Sequence, residues 1–229
     1  MQVNRTENKI IINRAEQLRI CSRLRQLMPV DQYSASPDGY EIRSLYFDTL
    51  TDRCCAEKED GLRFHDKIRI RIYGTDDHVI KLECKQKDGP YQVKHSMLIS
   101  RSLMDELIAG HYEALLKVDD PMNLFFYHKL CQAMMPKVII QYQRLAFALD
   151  INETRITFDS DIRATEANFD LFQNPLLAHP IMPMDQVIME VKFNHFLPGY
   201  LKNALRDVRK SPTSYSKYFN GRSFYRRMV

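Results

Sequence analysis

Charged side chains fall at every second position in four stretches of the chain, with branched apolar residues between them. Arg5, Glu7 and Lys9 begin the pattern. Lys67, Arg69 and Arg71 alternate with Ile68, Ile70 and Ile72; Lys81, Glu83 and Lys85 follow, and Glu190 and Lys192 come late. Strand side chains have a period of two, so each stretch is predicted to be a β-strand with its charges on one face and its apolar groups on the other.

The intervening segments supply partners for these strands. Residues 3–12 read as a strand, and Asn13 can cap a helix whose apolar positions are Leu18, Cys21, Leu24 and Met28, ended by Pro29. A loop with Ser34, Ser36, Pro37, Asp38 and Gly39 leads to a strand at Tyr40–Asp48. Asp60-Gly61 marks a turn before His65–Tyr73, Gly74–Asp77 connects to Val79–Lys85, and Asp88-Gly89-Pro90 turns into Tyr91–Ile99. The middle is helical: Ser100 or Ser102 caps a helix through Leu103, Leu107 and Leu115, and Asp120-Pro121 starts another. Phe125, Phe126 and Leu130 sit at helical spacing and read as core. Lys137–Leu149 and Arg155–Ile162 form a further hairpin through Asn152, residues 166–186 are irregular, Gln186–Phe193 is the last strand, and Pro198–Val208 a helix. The polar tail after it carries Ser211–Ser214, and its basic residues Arg222, Arg226 and Arg227 read as a solvated end. No repeat or linker divides the chain. The expected architecture is one α+β domain over residues 1–229, built around a large antiparallel sheet or barrel.

Composition narrows the classes. The apolar fraction of 45% and charged fraction of 27% are those of a globular protein, and the net charge of +4 is modest, so basicity informs through its placement. No apolar run is long enough for a transmembrane helix, and the first ten residues lack the apolar core of a signal peptide, so a cytoplasmic protein without direct membrane insertion is expected. The five cysteines form neither a disulfide framework nor a metal motif, and adjacent Cys54 and Cys55 are read as incidental. His65, His95 and His195 are expected on surfaces or loops rather than as metal ligands.

Three like charges on one face, as at Lys67, Arg69 and Arg71, repel unless an anion or a carboxylate lies among them. A closed barrel with an inward polar face would resolve this, its lumen binding a chain of phosphates. Arginine fixes non-bridging oxygens with a planar fork and lysine acts as a movable point charge. Glu7, Glu83 and Glu190 cannot bind phosphate directly; they either ligate a divalent cation or hold lysines in place, and the metal role is expected for Glu190. Few aromatics interleave with the cationic strands, which argues against nucleic acid.

Further segments extend the pattern: Tyr46-Phe47-Asp48-Thr49, Lys94, Tyr142-Gln143-Arg144, Arg155-Ile156-Thr157-Phe158-Asp159 and Ser216-Lys217-Tyr218. With Arg5–Lys9, Lys67–Arg71, Lys81–Lys85 and Glu190–Lys192, in this order over residues 5 to 222, the chain resembles the polyphosphate polymerase domain of the vacuolar transporter chaperone (VTC) group, within the triphosphate tunnel metalloenzymes. The resemblance implies an antiparallel eight-stranded β-barrel tunnel with flanking helices and transfer of the ATP γ-phosphoryl group onto inorganic polyphosphate with Mn²⁺ or Mg²⁺. It implies that Lys9, Arg69, Arg71, Lys81, Lys94, Arg144, Arg155, Lys192, Ser216 and Lys217 bind phosphate and that Glu190 holds the metal, with Lys9, Arg69, Arg71 and Glu190 as the catalytic set. One departure from the wider superfamily is informative. Its adenylate cyclase and thiamine-triphosphatase branch begins Glu-x-Glu-x-Lys, whereas here Arg5 takes the first position, which favours a long polyanion over a single triphosphate. Hydrolysis of triphosphate or short polyphosphate, and non-catalytic polyphosphate binding, are the alternatives. Any coupling to transport across a membrane would need a separate membrane partner.

Overall fold

The computed structural model describes residues 5–34, 36–89, 91–208 and 211–227. In chain order the elements are β1 (Arg5–Asn13), α1 (Arg14–Leu24), β2 (Tyr40–Thr49), α2 (Arg53–Glu59), β3 (Phe64–Tyr73), β4 (Lys81–Asp88), β5 (Tyr91–Leu98), α3 (Arg101–Ala109) and α4 (Asn123–Leu130). They continue with β6 (Met134–Leu149), β7 (Thr154–Thr165), β8 (His179–Pro180), β9 (Gln186–Asn194), α5 (Gly199–Ala204) and α6 (Lys217–Arg226). The strands pair in the order β1-β9-β7-β6-β2-β3-β4-β5, with β8 alongside β7. The α+β class and antiparallel sheet are as the strand pattern predicts, and the eight-strand path is as the resemblance implies.

The residues pack as two interleaved compact units. The first comprises residues 1–41, 142–162 and 182–215. Its core is one face of β1, β7 and β9, where Ile12, Ile156, Phe158, Val187, Met189 and Val191 meet Ile20, Cys21 and Leu24 of α1 and Leu201 and Ala204 of α5. These alternate with the charged positions, so the opposite face is polar. Asn13 caps α1 as expected, its side chain accepting from Glu16 N at 2.8 Å while Glu16 returns a bond to the Asn13 N–H. The helix ends at Leu24 rather than at Pro29, and Leu18 faces outward while Gln17 and Ile20 are buried.

The second unit comprises residues 42–141, 163–181 and 216–229. Its core packs Leu45, Phe47, Ile68, Ile70, Ile72, Leu82 and Cys84 against Leu103, Met104 and Leu107 of α3 and Phe126 and Leu130 of α4, as the helical spacing of the last two suggests. Ser100 is the cap of α3, accepting from Leu103 N at 3.1 Å. The helix does not run on to Leu115: Gly110, at φ +90°, ends it, and a separate 3-10 turn carries residues 112–117. Helix α5 is likewise shorter than residues 198–208, and α4 begins two residues after Pro121. The turn after Asp88 includes Gly89 at φ +57°; Pro90, expected in it, lies outside the described residues, as do positions 3 and 4 of the first strand.

Two segments depart from expectation for tertiary reasons. Helix α2 was not legible because its entry residue, Asp52, is left-handed at φ +57° and offers no side-chain cap. Asp48 supplies the missing acceptor instead: fully buried, it takes bonds from the backbone N–H of Thr49, Cys54 and Cys55 and from the Tyr218 hydroxyl. The basic tail is not a solvated end. It is α6, with Arg222 buried against Asp52 (2.6 Å) and Glu166, and Arg226 also on Asp52 at 3.0 Å. His65 and His95 lie on the strands predicted for them and are partly exposed; the His95 ring lies 4.1 Å from that of Phe125. Burial pushes the Cys54 thiol up and that of Cys55 up to about 11, which keeps both protonated.

Gly39 sets one strand of the first unit. Its φ is +90°, and a Cβ there would lie 2.0 Å from the Arg144 carbonyl oxygen and 2.6 Å from its carbon. Both partners are backbone, so neither yields without moving β6. Gly39→Ala is expected to destabilise the protein by more than about 2 kcal/mol, read as a lowered urea midpoint. A midpoint unchanged from wild type would refute the close approach.

Candidate functional site

On the polar face of the first unit, β1 and β9 are in register so that Lys9 stands opposite Glu190 and Glu7 opposite Lys192. The four groups interlock: Lys9 Nζ reaches Glu7 at 2.9 Å and Glu190 at 3.5 Å, and Lys192 Nζ reaches Glu190 at 3.2 Å and Glu7 at 3.7 Å. Burial works against the Lys9 ammonium, but Glu190 and Glu7 outweigh it and raise its pKa. Arg5 begins the same face, opposite Asn194. Arg144 joins from β6. Asp159 takes its Nε and Nη2 at 2.7 and 2.8 Å, a fork that keeps the guanidinium charged despite burial, with Glu190 adding to the effect. Arg155 stands opposite Lys192, but its guanidinium is turned to Asp31 (2.7 Å) and Tyr40 Oη (3.2 Å).

In the second unit the row Lys67, Arg69 and Arg71 finds the carboxylate that its self-repulsion requires. Glu83, 2% exposed, receives Arg69 (2.7 Å), Arg71 (3.9 Å) and Lys94. Burial alone would raise the Glu83 carboxyl; Arg69, Arg71 and Lys94 instead hold it well below the ordinary carboxylate range. Tyr46, opposite Arg69, accepts from Arg69 Nη1 at 3.0 Å, and its ring stacks 5.0 Å from that of Tyr218. Burial opposes ionisation of the Tyr46 phenol, but Arg69, Arg71 and Lys67 lower its pKa overall. Lys67, Lys85 and Lys94 form a lateral row through β3, β4 and β5. Ser216 caps α6 and accepts from Lys67 Nζ at 3.1 Å, which places Ser216 and Lys217 beside this row. Lys81 stands opposite Arg71, its Nζ 5.3 Å from the Tyr73 ring.

The residues expected from sequence thus form two groups: Lys9, Glu190, Lys192 and Arg144 in one unit, and Arg69, Arg71, Lys81, Lys94, Ser216 and Lys217 in the other. Arg155 lies on the first face but is held by its own partners. Glu83 serves as an organiser of cations. Missed from sequence were the groups that hold these residues: Tyr46, Asp159 and Asp31. Tyr46 and Asp159 keep the same two-residue period as the charges, which was a usable signal; Asp31 lies in a loop and gave none.

A family model described as the VTC domain matches residues 4–225. The chain belongs to the VTC domain family. Two solved structures share its fold. One is a proposed adenylate cyclase from Bacillus halodurans, 10% identical over 92% of this chain and 93% of that one, with a TM-score of 0.54. The other is a proposed adenylyl cyclase from Hippeastrum, described as having a dominant triphosphatase activity, 12% identical over 98% and 96%, with a TM-score of 0.58. No curated protein matches by sequence.

The donor set of this VTC domain fits a hard divalent cation only in a limited way. Among the described residues no three His, Cys, Asp or Glu side chains gather as a complete metal cage. Glu190 and Glu7 are an oxygen pair, and Mg²⁺-type sites commonly use one or two carboxylates and take further oxygens from substrate phosphates. No helix among the described residues is long and apolar enough to cross a membrane.

Proposed function

We propose that this VTC domain is a polyphosphate polymerase, transferring the γ-phosphoryl group of ATP to a growing inorganic polyphosphate chain. The observation that carries the reading is Glu190. Its side chain is only 8% exposed and sits between Lys9 and Lys192, where a buried carboxylate facing an anionic substrate suits the recruitment of a cation.

Glu190, with Glu7, would hold Mn²⁺ or Mg²⁺, which when bound neutralises developing charge on the phosphoryl oxygens. The protein's own part is positioning and charge. With a cation held at Glu190, Lys9 and Lys192 would be released from that carboxylate and could turn their ammonium groups toward phosphate. Arg69 and Arg71, held by Glu83, present their remaining N–H groups along one strand face, and Lys81, Lys94, Lys217 and the Ser216 hydroxyl extend it. Arg144 and Arg155 are presented from β6 and β7 with their orientation set by Asp159 and Asp31. The acceptor is a terminal phosphate oxygen already ionised near neutral pH, so no strong general base is needed. Arg5 in place of a carboxylate favours the long chain. In this reading the two units together make one functional domain, located in the cytoplasm.

The test is purified protein with ATP and Mn²⁺ or Mg²⁺, with long-chain polyphosphate, ADP and free phosphate measured separately. Polyphosphate formed together with ADP is expected. A second reading has one observation in its favour, the triphosphatase activity described for the Hippeastrum protein. Free phosphate from inorganic triphosphate, with no chain growth, would establish that reading instead, and binding without turnover would reduce the domain to a polyphosphate receptor.

A further inference from the structure

The polar face that carries Glu190 also contains a buried hydroxyl for which the described residues provide no partner. Thr157 is 3% exposed, and its Oγ1 makes no hydrogen bond among the described residues. Buried hydroxyls are nearly always bonded, because leaving one unpaired forfeits its hydration with nothing in return. Valine would fill the same volume on a strand without that cost, so packing does not account for threonine here.

Its place in the sheet is specific. Thr157 of β7 stands directly opposite Glu190 of β9, and Glu190 stands opposite Lys9 of β1. Directly opposed residues point to the same face with their Cβ atoms adjacent. On β7 the neighbouring positions of that face are Arg155 and Asp159, both engaged in ion pairs. The unused hydroxyl therefore adjoins the carboxylate proposed to hold the cation.

We infer that Thr157 Oγ1 is a ligand oxygen for the divalent cation held by Glu190, a neutral third donor beside Glu190 and Glu7. This rests on the proposed metal role of Glu190. Hard cations favour sets that mix carboxylates with neutral oxygens, and the pair of glutamates is otherwise short of donors. Phosphate oxygens, by contrast, are amply supplied with stronger donors by Lys9 and Lys192. The hydroxyl binds through a lone pair and no proton need leave it.

The experiment is Mn²⁺ binding, followed by the electron paramagnetic resonance signal of the free ion, for wild type, Thr157→Val, Thr157→Ser and Glu190→Gln, without nucleotide. Thermal unfolding of each variant confirms that it is folded. Thr157→Val is expected to weaken Mn²⁺ binding by about 10- to 100-fold, Thr157→Ser to restore most of it, and Glu190→Gln to abolish it. If Thr157→Val binds Mn²⁺ like wild type while Glu190→Gln does not, the inference about Thr157 fails and the metal role of Glu190 stands. If Glu190→Gln also binds like wild type, or wild type binds no Mn²⁺, the metal reading fails and takes the inference with it.

Discussion

Glu190→Gln is expected to lower polyphosphate synthesis from ATP by at least about 10²-fold, the scale on which removing a single transition-state-stabilising group acts, with little change in thermal unfolding. The substitution keeps shape and removes the charge proposed to recruit the cation. Lys9 and Lys192 keep Glu7 as a partner at 2.9 and 3.7 Å, and both lysines are about a quarter exposed, so the loss of their second carboxylate is screened by water. Activity should therefore fall without the fold. ADP release and chain growth should fall together, and raising Mn²⁺ should restore neither. Wild-type turnover in a folded Glu190→Gln protein would remove Glu190 from the catalytic set.

Glu83→Gln should do the opposite first: it should destabilise the protein before it informs on turnover. Glu83 is buried among Arg69, Arg71 and Lys94, and removing the carboxylate they share leaves like charges packed together. Breaking a buried ion pair by removing one partner costs about 3–5 kcal/mol, which for a chain of this size lowers the melting temperature by roughly 6–20 °C. The pH dependence has a definite sign. The folded-state pKa of Glu83 is depressed below its unfolded value. Its contribution to stability is thus fully present above the ordinary carboxylate range of about 4.3 and is lost as pH falls below it toward the folded pKa. Wild type should lose stability across that acidic window, and Glu83→Gln should lose less, because it has already lost the group that titrates. Adding inorganic triphosphate should raise the melting temperature of the variant more than that of wild type, since the ligand replaces the missing negative charge. Equal melting curves for variant and wild type would show that Glu83 does not organise the cluster.

The strands were legible because alternation is a local property. Lys67, Arg69 and Arg71 declare their face through Ile68, Ile70 and Ile72, and no distant residue is needed to read it. The same holds for Lys9, Glu190 and Lys192. What could not be read were groups whose state depends on remote partners. Arg222 looks like part of a solvated tail until Asp52 and Glu166 come to it, and α2 looks like a loop until Asp48 accepts its N–H groups. Arg155 carries the charge expected of a phosphate ligand, yet which partner its guanidinium faces was set by Asp31, in a loop with no periodicity to reveal it. Helix ends were misjudged at Leu115 and Val208 for a similar reason: apolar spacing continues there, but the backbone turns away at Gly110 and after Ala204.

The two clusters differ in how deeply their carboxylates lie, and that difference separates them by ionic strength. The glutamate that gathers Arg69 and Arg71 is 2% exposed, whereas Glu7, which shares Lys9 and Lys192 with Glu190, is 23% exposed. Mobile ions screen exposed charges within about 8 Å at physiological salt and reach buried ones far less. As salt rises, Lys9 and Lys192 lose their hold on an anion first, while the arginines keep their arrangement. Salt would then act as a selector between the two clusters, releasing an anion from the lysines at a concentration that leaves one on the arginines in place.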